Sequence, residues 1–189
     1  MTNIAIFASG SGTNAENIIH YFEGSTLVKV ALVLSNKSDA YVLERARRAG
    51  IPSMVIPNAE FKQGESLLAA MRDHHIDFIV LAGFLLLVPS SLIAAYPRRI
   101  VNIHPALLPK HGGKGMYGDR VHQEVVAQHD RESGITIHVI DEHYDQGSIL
   151  FQARCEVLPT DTPHDVATKV HALEYAHYPH VIEETIQGL

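Results

Sequence analysis

The sequence contains few of the features that mark secreted, membrane-spanning or nucleic-acid-binding proteins. Its one cysteine, Cys155, excludes an intrachain disulfide framework and favours a reducing compartment, so we predict a cytoplasmic protein. The longest apolar run, residues 78–90, is too short to cross a bilayer. With a formal net charge of −6 and only two short Arg-Arg pairs as basic runs, the chain is not expected to bind nucleic acid or a membrane.

The N-terminus lacks the basic and apolar regions of a secretory signal, which agrees with that location. Although the chain has 13 histidines, none falls in the H-x-x-x-H or H-E-x-x-H spacing that presents two metal ligands on one helical face. We therefore predict no metal site.

Short apolar runs alternate with helical patterns along most of the chain, which predicts an α/β fold with a mostly parallel, doubly wound, Rossmann-like sheet flanked by helices. We expect a single domain over residues 1–189. The predicted strands are residues 3–8, 27–34, 53–56, 76–82, 100–103, 133–141 and 147–157. The predicted helices are residues 15–22, 39–49, 59–75, 89–95, 119–128 and 163 to about 174.

A polar pair ends the fifth predicted strand. Asn102 and His104 are two residues apart, so both project from the same face, and Pro105 stops the strand beside them. Asp145 lies 43 residues beyond Asn102, a separation that permits a strand–helix–strand return. In this interpretation Asn102 donates to an oxyanion, His104 acts as acid or base, and Asp145 raises the pKa of His104. The alternative is a core histidine next to a turn-forming asparagine.

A glycine-rich turn connects the first predicted strand to the first helix. Gly10, Gly12, Thr13 and Asn14 would expose backbone N–H groups to a phosphate, with Thr13 or Asn14 capping the helix or donating to the anion. The same residues fit the loose dinucleotide fingerprint G-x-G-x-x-A, which would indicate a nicotinamide-dependent oxidoreductase. The second strand lacks the acidic end residue of that class, because it runs into Ser35-Asn36-Lys37.

The string Asn102-Ile103-His104-Pro105-Ala106-Leu107-Leu108-Pro109, with Asp145-Gln146-Gly147 downstream, resembles the folate-dependent formyltransferases. The resemblance implies that Asn102, His104 and Asp145 catalyse transfer of a formyl group from 10-formyltetrahydrofolate, a co-substrate, to an amine. It also implies the formyltransferase fold, with an antiparallel strand near the C-terminus. The implied amine-substrate contacts are Gly12, Thr13, Asn14, Pro105 and Glu174. The implied folate contacts are Phe84, Leu85, Leu86, Leu87, Val88, Asn102, Asp141 and Asp145.

Within this family, the glycine-rich turn resembles the phosphate loop of the branch that formylates glycinamide ribonucleotide in purine synthesis. Members that act on methionyl-tRNA or hydrolyse formyltetrahydrofolate carry a further domain, for which we see no room in 189 residues. We expect small-molecule partners only and a monomer or homodimer. The nicotinamide oxidoreductase and another 10-formyltetrahydrofolate-dependent enzyme stay as alternatives. Residues 110–122, with four glycines, are predicted to form a mobile lid in which Lys114 meets the ligand.

Overall fold

A computed structural model describes all residues, 1–189, as seven strands and seven helices. The strands are β1 (Thr2–Phe7), β2 (Val28–Ser35), β3 (Ser53–Val55), β4 (Phe78–Leu81), β5 (Ile100–His104), β6 (Glu132–Val139) and β7 (Ile149–Glu156). The helices are α1 (Thr13–Tyr21), α2 (Val42–Arg48), α3 (Asn58–Gln63), α4 (Glu65–Asp73), α5 (Ser90–Ala95), α6 (Asp119–Ala127) and α7 (Pro163–Gln187). No helix is long and apolar enough to cross a membrane.

The strands form one sheet in the order β3-β2-β1-β4-β5-β6-β7, which confirms the predicted fold class. Strands β1 to β5 are parallel, and β6 runs antiparallel to both of its neighbours. The strand order reverses between β1 and β4, and in such sheets a crevice for ligands opens at the carboxyl ends of the strands beside that reversal.

Alternate residues of each strand face the two sides of the sheet, and each side has its own apolar core. In β1, Ile4 and Ile6 pack with α1, α2, α6 and α7, whereas Ala5 and Phe7 pack with α3, α4 and α5. Because the side chains on both faces of the central strands are buried, successive strand residues are mostly apolar, and the strands appear as nearly continuous apolar runs in the sequence.

The long helix predicted over residues 59–75 is divided at Gly64. This glycine has φ +81° and serves as the end of α3 and the start of α4. A Cβ atom at Gly64 would lie 2.4 Å from the Ser91 Oγ, so α5 packs closely against the break. Helical periodicity continues on both sides of the glycine, which is why the pattern alone indicated one helix.

Helix α7 ends at Gln187, so the predicted end near residue 174 is wrong. The helix continues through Pro179, which has no N–H to donate to the Tyr175 carbonyl one turn earlier. The side-chain amide of Asn17 on α1 donates to that carbonyl instead, at 3.0 Å. Burial of Val181 and Ile182 after the proline further stabilises the continued helix.

Candidate active site

One cavity of about 680 Å³ occupies the carboxyl-end crevice of the sheet. Each substrate-binding, folate-binding and catalytic residue predicted from the sequence lines it. The structure therefore brings these residues together, although their individual roles stay predictions. The lining comes from the turn after β1, the segment after β4, the end of β5, the loops before α6 and before β7, and the middle of α7.

Tyr178 on α7 supports the floor of this cavity. Its fully buried hydroxyl lies 2.8 Å from the Leu81 carbonyl and 3.3 Å from the Val101 carbonyl, which belong to β4 and β5. Burial raises the pKa of Tyr178 well above its usual value, so the hydroxyl stays a neutral donor. This contact ties together β4 and β5, the two strands from which the segment of residues 84–88 and the Asn102–His104 pair emerge.

His104 is the most enclosed of the predicted catalytic residues, with 4% of its side chain exposed. Its Nδ1 lies 3.5 Å from the Asp145 Oδ2, and its Nε2 lies 2.8 Å from the His111 carbonyl oxygen. A carbonyl only accepts hydrogen bonds, so Nε2 carries a proton. Asp145 has φ +55° and also accepts the Gly113 N–H at 3.0 Å, so its carboxylate is held beside the imidazole.

The charge states differ from the sequence-based expectation. Burial lowers the pKa of His104, and the negative charge of Asp145 reduces this effect without reversing it. Burial raises the pKa of Asp145, but the contacts with His138, His104 and the Gly113 N–H outweigh burial and lower it. The predicted effect of Asp145 on His104 therefore has the expected sign, but burial outweighs it and the net pKa of His104 is lowered instead of raised.

A second buried histidine, His138, completes this corner and was not predicted. It lies opposite Asn102 in the antiparallel β5–β6 pair, and its Nε2 is 3.1 Å from the Asn102 Nδ2 and 3.7 Å from the Asp145 Oδ1. When Nε2 accepts from the asparagine amide, that amide keeps its other N–H for the cavity. The position could have been found only from the pairing register of β5 and β6.

The glycine-rich turn forms a separate part of the cavity lining, next to the segment after β4. Gly12 precedes α1 with φ +75°, and no side chain caps this helix, so the expected cap by Thr13 or Asn14 is wrong. The first N–H groups of α1 are consequently available to an anion. A Cβ atom on Gly12 would lie 2.4 Å from the Val42 Cγ2, so this glycine is also required for the packing of α2.

Glu174 lies beside the start of α1 and is 5% exposed, although a glutamate on a helix is usually solvated. Its Oε2 accepts the Asn14 amide at 2.9 Å and lies 2.9 Å from the His171 Nδ1. The hydrogen bond with Glu174 raises the pKa of His171, whereas burial lowers the pKa of nearby His122. No signal in the sequence separated these two histidines from the other eleven.

Two buried polar atoms beside Glu174 have no protein partner. They are the Asn14 Oδ1 and the His122 Nδ1. Most buried polar atoms in folded proteins are hydrogen-bonded, and both residues line the cavity. Unsatisfied groups at this place are what a polar ligand between α1, α6 and α7 would pair.

The apolar segment after β4 divides into two parts. Phe84 packs its ring against Phe7 and Phe61, with centroids 5.5 and 4.9 Å apart, and Val88 is 5% exposed. The three leucines between them are half-buried or exposed at the cavity. The Leu85 N–H donates to the Ser9 Oγ at 3.0 Å, so this backbone donor is already used within the protein.

Comparison with known proteins gives one consistent result. The formyl transferase family matches residues 2–182. The chloroplastic phosphoribosylglycinamide formyltransferase of Arabidopsis thaliana is 42% identical over 95% of this chain and 63% of its own length. The phosphoribosylglycinamide formyltransferase of Haemophilus influenzae is 36% identical over 100% of this chain and 89% of its own length. Glycinamide ribonucleotide transformylase 1 from Symbiobacterium toebii superposes with a TM-score of 0.90 at 34% identity, covering 100% of this chain and 89% of its own.

The chain spans less than two thirds of the length of two plant relatives: 63% of the Arabidopsis thaliana protein and 59% of the chloroplastic phosphoribosylglycinamide formyltransferase of Vigna unguiculata. Coverage of the bacterial relative and of the solved structure is 89% in each case, and the match includes both ends of the cavity. The resemblance inferred from the sequence motifs is thereby confirmed, and the chain belongs to the formyl transferase family.

Proposed function

We propose that the protein transfers the formyl group of 10-formyltetrahydrofolate to the amine of 5-phosphoribosylglycinamide, giving formylglycinamide ribonucleotide and tetrahydrofolate in de novo purine biosynthesis. One observation carries this proposal: a single cavity joins an uncapped helix N-terminus to a buried imidazole beside a carboxylate. The Arabidopsis thaliana and Haemophilus influenzae relatives are both named phosphoribosylglycinamide formyltransferase, which is the activity proposed here.

The nucleotide occupies the end of the cavity formed by α1 and α7. Its phosphate accepts the N–H groups of Thr13 and Asn14 after Gly12, because an uncapped helix N-terminus favours an anion. The ribose hydroxyls donate to Glu174, whose Oε1 has no protein partner. Pro105 bounds the path from the ribose to the amine.

The folate occupies the other end, against the segment after β4. Leu85, Leu86 and Leu87 supply the apolar surface, and Phe84 and Val88 anchor the segment to the core. Asp141 follows β6, and its carboxylate lines the cavity. Its Oδ1 accepts the His143 N–H at 2.8 Å. Apolar walls exclude water from the formyl group and strengthen the nearby polar contacts.

The chemistry follows from the charge states. The His104 Nδ1 takes a proton from the amine as the amine nitrogen bonds to the formyl carbon, and Asp145 stabilises the resulting imidazolium. The Asn102 N–H donates to the oxyanion of the tetrahedral intermediate. The bond from carbon to the folate nitrogen then breaks, and His104 returns the proton to that nitrogen. A protonated His104 is therefore an intermediate in this scheme and not the resting state.

The remaining sequence-based predictions are part of this proposal. We propose that the protein acts in the cytoplasm, as a monomer or homodimer, with small-molecule partners, without nucleic acid or membrane contacts, and without a metal ion. The half-buried, unpaired Cys155 supports the cytoplasmic location, and the net charge of −6 supports the absence of nucleic-acid contacts. The single domain over residues 1–189 stays a prediction.

The nicotinamide alternative is disfavoured at the end of β2. A dinucleotide site needs an acidic side chain there for the ribose, whereas this chain has Asn36. The Asn36 side chain is also engaged, because its Oδ1 accepts the Ser9 hydroxyl at 2.6 Å and its Nδ2 donates to the Asn58 Oδ1 at 2.9 Å. It is therefore not free to hold a ribose.

A direct assay tests the function. Protein, 10-formyl folate and glycinamide ribonucleotide are mixed, folate absorbance is followed, and the product is identified by its mass in a mass spectrometer. We expect formylglycinamide ribonucleotide only when all three components are present. Loss of the formyl group without the nucleotide would indicate a hydrolase, and tight binding of a nicotinamide dinucleotide without formyl transfer would favour an oxidoreductase.

A further inference from the structure

The segment from His111 to Gly113 contacts both ionisable residues of the catalytic corner. The His111 carbonyl accepts the His104 Nε2–H at 2.8 Å, and the Gly113 N–H donates to the Asp145 Oδ2 at 3.0 Å. A Cβ atom on the intervening Gly112 would lie 2.5 Å from a Leu108 methyl group and 3.4 Å from the Asp145 Cβ. A shift of this segment would therefore displace the base and its carboxylate together.

The His111 side chain ties this segment to the end of α6. Its Nε2 lies 2.6 Å from the Asp130 Oδ2, and the two side chains are 5% and 11% exposed. The Asp130 N–H donates to the Val125 carbonyl on α6 at 3.1 Å. The His111 backbone has φ +55°, a conformation that costs a non-glycine residue free energy unless its surroundings hold it.

Neither His111 nor Asp130 lines the catalytic cavity. Both line a separate cavity of about 310 Å³. Their side chains therefore act on the reaction only through the segment they hold, and not by touching a substrate. The other Asp130 oxygen pairs with Lys110, whose side chain is 57% exposed.

We propose that His111 and Asp130 are a positioning pair for formyl transfer. The pair holds the His111 carbonyl against His104, which keeps a proton on Nε2 and leaves Nδ1 as the base. It also holds the Gly113 N–H against Asp145. The proposal rests on the proposed function, since it assigns a purpose to the orientation of His104.

Three variants and one matched control test the pair by kinetics. His111→Phe keeps the ring volume without the nitrogen, and Asp130→Ala removes the acceptor. Both should lower kcat by about ten- to a hundredfold, as a small misplacement of a catalytic group does, with KM for both substrates unchanged. Asp130→Asn keeps an acceptor oxygen and should fall between Asp130→Ala and the wild type. Lys110→Gln removes the exposed partner of the same carboxylate and should leave kcat unchanged.

A spectroscopic measurement separates positioning from folding and from activity. Long-range ¹H–¹⁵N NMR of the imidazoles reports which nitrogen is protonated, and the His104 signals are identified by their loss in His104→Gln. We expect the Nε2–H form in the wild type and in Lys110→Gln, and a mixture of forms in His111→Phe and Asp130→Ala. This readout needs no turnover, so it is informative even if the proposed function fails.

Several outcomes would overturn the proposal. One is a His104 tautomer that is the same in the wild type and in folded His111→Phe or Asp130→Ala. Another is an equal loss of kcat in Lys110→Gln, which would assign the effect to the surface charge. Cooperative unfolding on heating shows whether His111→Phe is folded; if it is not, Asp130→Ala tests the same lower kcat and the same mixture of His104 tautomers. A wild-type kcat in both Asp130→Asn and Asp130→Ala would show that the pair has no positioning role.

Discussion

The two ends of the cavity are built in different ways. At the nucleotide end, the predicted ligands of the phosphate are backbone N–H groups of consecutive residues after β1, supplied by an uncapped helix. At the formyl end, the proposed reacting groups are side chains from β5 and the loop before β7, which the sheet brings together beside His138 of β6. The first end depends on local backbone geometry and the second on long-range pairing. Substitutions at the two ends should therefore affect binding and turnover separately.

The largest expected effect is at the formyl end. His104→Ala removes the proposed base for the amine proton, so kcat should fall by about a thousandfold. The Kd of glycinamide ribonucleotide should stay within about twofold of wild type, because phosphate binding lies at the other end. Steady-state kinetics and calorimetric titration measure the two quantities. Near-normal turnover in His104→Ala would refute the catalytic assignment.

The reciprocal change lies at the nucleotide end. Glu174→Gln keeps the size of the side chain but removes the charge that we propose pairs with the ribose, and a hydrogen bond to a charged group contributes about 1.5–3 kcal/mol. The KM for glycinamide ribonucleotide should therefore rise about ten- to a hundredfold. The KM for the folate and kcat should hardly change. An equal rise in both KM values would mean that Glu174 supports the whole cavity and not the nucleotide alone.

The contrast also explains how far the sequence could be interpreted. Asn102, His104 and the glycine turn are local motifs, and the alternation of elements predicts the parallel sheet. His138 escaped prediction because its distance from Asn102 depends on the register of an antiparallel pair. The direction of the pKa shift of His104 could not be predicted for a similar reason, since burial of the imidazole is a property of the packed fold. Gly12 shows the reverse case: the motif suggested a phosphate contact, and the structure adds a packing requirement.

The pH dependence sharpens the account of the formyl end. His104 must be neutral to act as a base, so kcat/KM falls as pH drops through its pKa, which burial holds below the ordinary value of 6.5. Asp145 opposes this shift by its charge, and His138 and His111 are the other titratable groups that face the imidazole. Asp145→Asn should therefore lower kcat and move the acid limb to lower pH. Profiles of both proteins test this, and a move to higher pH would contradict the assigned charges.

The smallest expected effect concerns the loop that joins the two ends. Residues 113–118 line the cavity, and Lys114 is exposed between Gly113 and Gly115, which both have positive φ. Lys110 differs, because it pairs with Asp130 beside the anchored His111.

If the loop is a lid, trypsin should cleave after Lys114 in the free protein, and saturating glycinamide ribonucleotide should slow this cleavage several-fold, because closure orders the chain. Cleavage after Lys110 should be slow in both states, which provides an internal reference. Lys114→Gln should abolish the ligand-sensitive fragment in a mass spectrum of the digest. A rate of cleavage after Lys114 that is the same with and without nucleotide would mean that this loop is a fixed wall of the cavity, and that both ends are preformed in the free protein.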